Sequence, residues 1–249
     1  MKAGRQQDMI NKAVILAAGR GTRLGDLTLN TPKPLLPVAG RPMLDHILLG
    51  LQEAEVKEIM LIVGYLGEQI IDHYGDSAFG MHFNYAVQEK ANGTAAALLL
   101  AKDFAKNDNS FVIYGDILTQ PGSHSAIAQT FEMRHCDGVI GLNWVADPWE
   151  GGAVYREDGR IKQVVEKPPK GTSTSNWNIA GVSVFAPSLW ERLDRVTPSP
   201  RGEYELTSAL DMMIAEDCQL FGHEIKGFWS DAGTPERLAE SNRWFTKNI

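Results

Sequence analysis

The first residues in this sequence that could do chemistry form a glycine-rich turn followed by basic side chains, Gly19-Arg20-Gly21-Thr22-Arg23 and then Lys33. Gly19 and Gly21 carry no Cβ, so backbone N–H groups there can come close to phosphate oxygens, while Arg23 and Lys33 supply the positive charge a triphosphate demands. Two commoner phosphate loops do not fit. A dinucleotide fingerprint needs glycine where Leu24 stands, and a Walker A loop needs Gly-Lys-Ser/Thr after four spacer residues. A lone glycine turn after a strand is most often only a turn. Asp116 adds a second kind of group: it follows the apolar run Phe111 to Tyr114 and a glycine, at the carboxyl end of a strand, where open α/β sheets bind ligands. A hard divalent cation takes oxygens of this kind.

These groups need strands and helices to hold them, and the hydrophobic pattern predicts both. Lys12 to Leu16 reads as a buried strand, Met43 to Ala54 as helix, Glu58 to Val63 as strand and Glu68 to Tyr74 as helix. Strand Met81 to Ala86, helix Thr94 to Phe104 and strand Phe111 to Tyr114 follow, then a helix near 125–134 and a strand near 139–145. This alternation predicts βαβ units and a mostly parallel sheet covered on both faces. The pattern then changes to a hairpin, in which Ala153 to Tyr155 and Ile161 to Val165 flank Glu157-Asp158-Gly159, a turn whose glycine can take positive φ. Strand Val182 to Phe185, helix Leu206 to Glu216 and a last helix opened by Thr234-Pro235-Glu236 complete the pattern, with Thr234 as its cap. Residues 1–11 read as a flexible N-terminal extension and 12–249 as a single domain, without repeat, low-complexity tract or long linker.

With 249 residues and 43% hydrophobic content, the chain can bury a large core. No apolar run approaches the roughly 20 residues that span a bilayer, and Ala13 to Ala18 is too short for a signal-peptide core, so a cytoplasmic location is expected. The net charge of -7 argues against nucleic-acid or membrane-surface binding, although basic residues gather near the start at Arg20, Arg23, Lys33 and Arg41. Cys136 and Cys218 stand outside any metal-ligand spacing and read as reduced thiols. The six histidines show no metal spacing or catalytic triad, and the scattered tryptophans read as packing residues.

Leu16-Ala17-Ala18-Gly19-Arg20-Gly21-Thr22-Arg23-Leu24, followed by Thr31-Pro-Lys-Pro-Leu-Leu-Pro-Val-Ala-Gly-Arg-Pro42, resembles the sugar-phosphate nucleotidyltransferases, or nucleotide-sugar pyrophosphorylases. The likeness covers nearly the whole chain from residue 12. It continues through Gln88 with Gly93-Thr94-Ala95, Gly115-Asp116, Glu166-Lys167-Pro168, Gly202-Glu203-Tyr204-Glu205-Leu206-Thr207 and Trp229-Ser-Asp231-Ala-Gly-Thr234. Several spaced motifs in the right order are far more specific than any one. The resemblance implies a Rossmann-like three-layer αβα sandwich with an inserted β-hairpin region, the nucleotide-diphospho-sugar transferase type.

For the site, the resemblance implies that Leu16, Ala17, Ala18, Gly19, Gly21, Thr22, Gln88, Gly93, Thr94 and Asp116 bind the nucleotide. Arg23 and Lys33 bind it too and are the catalytic cations, stabilising charge on the α-phosphate and leaving pyrophosphate. Asp116 and Asp231 hold magnesium, while Gly152, Glu166, Lys167 and Asn178 serve the sugar phosphate; Gly151 fits its spacing almost as well as Gly152. Read alone, several of these have plainer explanations: a loop arginine is usually solvated, an aspartate after a strand caps a helix or shapes a turn, and a Glu-Lys pair is usually a surface feature. Many relatives carry asparagine two residues before the glycine of the sugar-contacting strand, whereas Asn178 comes three before Gly181, which leaves the sugar open.

Gln88 can offer an amide donor and acceptor to the edge of uracil or thymine, which favours UTP or dTTP. By the resemblance the chain transfers a nucleotidyl group from that triphosphate to a sugar 1-phosphate, with magnesium, by in-line attack without a covalent intermediate. A cytidylyl- or guanylyltransferase on another phosphate, or a catalytically silent nucleotide-sugar-binding regulator, are the alternatives. Homo-oligomers are common among relatives, so the resemblance also allows a homo-oligomer. Some relatives carry a C-terminal left-handed β-helix with acyltransferase activity; no hexapeptide repeat follows the Thr234 helix, so that second activity is not expected.

Overall fold

The computed structural model describes residues 9–248. The first strand, β1 (Lys12–Ala17), is apolar on both sides because both sheet faces are covered: Val14 packs into one core and Ile15 into the other. It pairs in parallel with β2 (Glu58–Val63) on one side, beyond which lies β3 (Met81–Val87), and with β4 (Ser110–Tyr114) on the other. The sheet continues through β5 (Gly138–Trp144), β6 (Gly152–Glu157), β7 (Arg160–Glu166), β8 (Trp177–Phe185) and β9 (Leu220–Glu224), in the order β6-β7-β9-β5-β8-β4-β1-β2-β3. Ser77–Ala78 adds a short edge beyond β3.

Parallel pairing is concentrated in β4-β1-β2-β3. β8 runs antiparallel to both β4 and β5, so the large sheet is mixed. The hairpin β6-β7 turns at Asp158 and Gly159, both at positive φ (49° and 81°), the pattern a tight type I′ turn requires.

Helices cover both faces. α1 (Met43–Glu53), α2 (Gly67–Tyr74) and α4 (Ser123–Arg134) bury Leu44, Ile47, Ile70 and Ile127 against Ile15, Leu61 and Phe111. α3 (Thr94–Leu99), α5 (Ser188–Leu193) and α6 (Leu206–Ala215) bury Leu98, Trp190 and Leu210 against Val14, Ile62 and Val112. The result is the expected three-layer sandwich. α7 (Pro235–Asn248) starts as its sequence predicts, with Thr234 Oγ1 accepting the Arg237 N–H at 3.3 Å, and docks Phe245 beside Val38, Met43 and Leu118.

Two residues of the expected extension are engaged with the fold. Ile10 is buried, and the Asn11 carbonyl accepts the N–H groups of Lys57 and Glu58 at 2.9 and 3.0 Å. Residues 1–8 of that expected extension lie outside the described residues.

Candidate active site

The loops after β1 and β4 meet because the strands are neighbours in register, Leu16 opposite Tyr114. Gly115 donates its N–H to the Leu16 carbonyl at 2.8 Å, and a Cβ on Gly115 would stand 3.0 Å from that oxygen, so glycine permits the approach. Above this junction opens a cavity of about 420 Å³. All twelve residues assigned to the nucleotide line it: Leu16, Ala17, Ala18, Gly19, Gly21, Thr22 and Arg23, then Lys33, Gln88, Gly93, Thr94 and Asp116. Arg20 and Arg41 do not join them: Arg20 lies over the Tyr65 ring, 5.3 Å from its centroid, and Arg41 stands exposed in the 37–42 hairpin.

Each wall has a local cause. Gly21 adopts φ 64°, with Thr28 Cγ2 and Lys33 Cβ already 3.1 and 3.3 Å from where a side chain would start. Gly19 differs, since a Cβ there would meet nothing within 4 Å. The Gly93 wall is fastened to the motif around Tyr204. Tyr204 N–H donates to Asn92 O, Ala95 N–H to Tyr204 O and Leu206 N–H to Thr94 Oγ1, all at 2.8–2.9 Å. Gln88 Nε2 donates to Asn92 Oδ1 and Gly93 O, which leaves Oε1 as the amide atom available to a base.

At the phosphate end, Lys33 Nζ donates to Asp116 Oδ2 at 2.7 Å and to the Asp231 carbonyl at 2.9 Å. Oxygens from both aspartates thus already converge on one cationic atom. Among the described residues no three His, Cys, Asp or Glu side chains cluster as a metal site. Magnesium commonly takes only one or two carboxylates and completes its shell with phosphates and water, so the open Asp116 carboxylate with the Asp231 oxygens beside it fits it, the Asp231 carboxylate being held in place by Arg237 and the Gly233 N–H. The guanidinium of Arg23 lies against the 231–233 turn: a Cβ on Gly233 would be 2.8 Å from Arg23 Nη2.

The sugar-side residues gather at the neighbouring end of the hairpin, outside the nucleotide cavity. Gly152 is the register partner of Glu166, and Ala153 that of Asn178. Lys167, at φ 41°, donates its N–H to Gly151 O at 2.8 Å. The two glycines face different neighbours: a Cβ on Gly151 would strike Asn178 Oδ1 at 2.2 Å, and one on Gly152 would strike Ile179 Cδ1 at 2.8 Å. Asn178 Nδ2 donates to Asn143 Oδ1 and Ile179 O, while its Oδ1 is buried without a partner among the described residues. Burial, and then the nearby Glu205 carboxylate, raise the Glu166 pKa, against a hydrogen bond from Thr207 Oγ1 at 3.2 Å.

Several contributors were not singled out from sequence. Tyr114 lines the cavity beside Asp116, and burial followed by the Glu166 and Asp116 carboxylates pushes its hydroxyl pKa up; it stands between the two groups of residues. Arg201 reaches Glu166, Glu203 and Glu205 with one guanidinium, and Arg237 holds Asp231 Oδ2 at 2.7 Å. Arg201 directly precedes the quoted Gly202-Glu203 motif, and Tyr114 directly precedes Gly115-Asp116, so adjacency to a motif was the available signal.

A model of the nucleotidyl transferase family matches residues 12–248. The chain belongs to that family. Among relatives of this family member, a bifunctional protein GlmU from Methanococcus vannielii is 38% identical over 243 residues, covering 95% of this chain and 55% of that one. The chain therefore spans about half the length of that relative. The UTP–glucose-1-phosphate uridylyltransferase AglF of Haloferax volcanii is 32% identical, covering 93% of this chain and 95% of its own. A solved Bacillus anthracis structure, provisionally assigned as a glucose-1-phosphate thymidylyltransferase in complex with sucrose, superposes with a TM-score of 0.86 at 31% identity, over 96% of each chain. Among the described residues, no helix is long and apolar enough to cross a membrane.

Proposed function

We propose that this chain is a sugar-1-phosphate nucleotidyltransferase: it joins the nucleotidyl group of UTP or dTTP to a sugar 1-phosphate, with magnesium, and releases pyrophosphate in the cytoplasm. The observation that carries this reading is the convergence of Lys33 on Asp116 and Asp231 at the mouth of the β1 glycine loop. A dinucleotide site would need no such meeting of a buried cation with the Asp116 carboxylate and the Asp231 carbonyl. The names of two relatives, a uridylyltransferase and a thymidylyltransferase acting with glucose 1-phosphate, support the reaction class and the pyrimidine preference.

Backbone N–H groups around Gly19 and Gly21 would bind the triphosphate, and Arg23 would take charge on the departing pyrophosphate. Lys33 has three N–H donors and spends two on Asp116 and Asp231, so one remains for an α-phosphate oxygen. Magnesium held by Asp116 and Asp231 would neutralise phosphate charge that otherwise repels the incoming acceptor. Lys167 would meet the acceptor's phosphate and Glu166 its hydroxyls. No side-chain nucleophile or general base is needed, because a sugar phosphate is already ionised at neutral pH.

The test is pyrophosphate release with magnesium, crossing UTP, dTTP, CTP, GTP and ATP against hexose and N-acetylhexosamine 1-phosphates. Release confined to UTP or dTTP with one sugar is the expected result. Release with GTP or CTP alone would overturn the base assignment, and no release from any pair would overturn the reaction.

A further inference from the structure

Asp231 reaches beyond the phosphate end. Arg237 Nη1 donates to Asp231 Oδ2 at 2.7 Å, and Nη2 of the same guanidinium donates to Glu150 Oε2 at 3.2 Å, across 87 positions of sequence. The remaining oxygen, Asp231 Oδ1, accepts the Gly233 N–H at 3.0 Å. One planar fork thus holds two carboxylates from two separate segments, a task that the point charge of lysine performs poorly.

The two ends of this bridge serve different groups of residues. On the Asp231 side, the same turn receives Lys33 through the Asp231 carbonyl and lies against Arg23. On the other side, Glu150 precedes Gly151, whose N–H donates to Pro148 O at 3.1 Å and whose carbonyl accepts the Lys167 N–H at 2.8 Å. Movement of Glu150 would therefore be felt at Lys167 through a single intervening hydrogen bond.

Arg237 is also poorly placed as a mere helix stabiliser. It occupies the first turn of α7, where the macrodipole disfavours a cation, and the Thr234 cap uses its backbone N–H rather than its side chain. Its side chain is 40% exposed and that of Glu150 46%, against 20% for Asp231, so the Asp231 contact is the firmer and the Glu150 contact the one that salt would loosen.

We propose that Arg237 is a positioning residue that clamps the acceptor-side loop 147–151 to the phosphate-side turn 231–233, keeping Lys167 in register with Lys33. This rests on the nucleotidyl-transfer reading. The clamp acts on the acceptor, so its loss should separate the kinetic constants of the two substrates.

The test combines amide hydrogen exchange on the full chain without ligands with steady-state kinetics for Arg237→Ala, Glu150→Gln and the double variant. Arg237→Ala should speed exchange at the Gly151 and Lys167 amides and raise the acceptor KM, each about tenfold, with the triphosphate KM within about twofold. Glu150→Gln should reproduce both changes, and the double variant should be no worse than Arg237→Ala. Unchanged exchange at Gly151 and Lys167, or additive effects of the two substitutions, would overturn the clamp while wild-type turnover leaves the transfer reading standing. Absence of turnover in the wild type with every sugar 1-phosphate would overturn the transfer reading, and with it the role given to Arg237 in catalysis.

Discussion

Lys33 Nζ lies 2.7 Å from Asp116 Oδ2, although the two residues are 83 positions apart in sequence, and the lysine side chain is only 8% exposed against 34% for the aspartate. The buried lysine ammonium is satisfied by oxygen partners, here one carboxylate and one carbonyl. The more open carboxylate faces the cavity.

Lys33→Ala removes that cation and should lower kcat by about 10²- to 10³-fold, the scale on which a preorganised charge at developing phosphate charge acts. Lys33 is itself buried and its ammonium also serves the Asp231 carbonyl, so stability should fall as well, by about 1–3 kcal/mol. Pyrophosphate release and urea unfolding measured on the same preparation check both halves.

Gly19 and Gly21 should part company. Gly19→Ala meets open space and should leave stability within a few tenths of a kcal/mol, yet raise the triphosphate KM about tenfold if phosphate occupies that space. Gly21→Ala forces a Cβ into a left-handed residue beside Thr28 and should cost about 1–2 kcal/mol. A Gly19→Ala protein with unchanged KM would show that the triphosphate does not approach that backbone.

Gly93→Ala tests the fastening between the base-side wall and the Tyr204 segment. With φ at 119° and a Cβ 2.2 Å from Tyr204 O, the backbone must move, and a loss of at least about 2 kcal/mol is expected. Limited proteolysis should open first near residues 199–205.

Acid should destabilise the fold through His124. Burial lowers its pKa to about 4, and its Nε2 has no partner among the described residues. The unfolded chain therefore takes up a proton first as pH falls, so stability is complete above about 6.5 and is lost towards pH 4, by about 3 kcal/mol in all. Urea midpoints across this range should show the slope, and His124→Gln should flatten it.

Much of this was legible in sequence where local chemistry decides. The glycine turn, the apolar run into Asp116 and the Thr234-Pro235 helix start each depend on a few adjacent residues, and each stands where its pattern predicts. Tertiary pairing was harder. β9, Leu220-Phe-Gly-His-Glu, is short and interrupted by glycine, and its strand character comes from lying beside β5. β8 reads as a buried strand, but nothing in its own residues says that it runs antiparallel between β5 and β4. Arg237 escaped notice for a similar reason: its partners, Asp231 and Glu150, are set by the docking of α7 and not by helical spacing.

The most direct measurement follows a radiolabel on the α-phosphorus of UTP or dTTP, incubated with a sugar 1-phosphate and magnesium, in the wild type and in Lys33→Ala. The account predicts that label passes into a nucleotide sugar with one pyrophosphate released per transfer, that none remains on the denatured protein, and that the variant is slowed at least about a hundredfold. Label retained on the protein would contradict direct attack by the acceptor. Absence of transfer with every sugar 1-phosphate, in a protein that still binds a nucleotide sugar, would contradict the enzyme and leave a binding protein in its place.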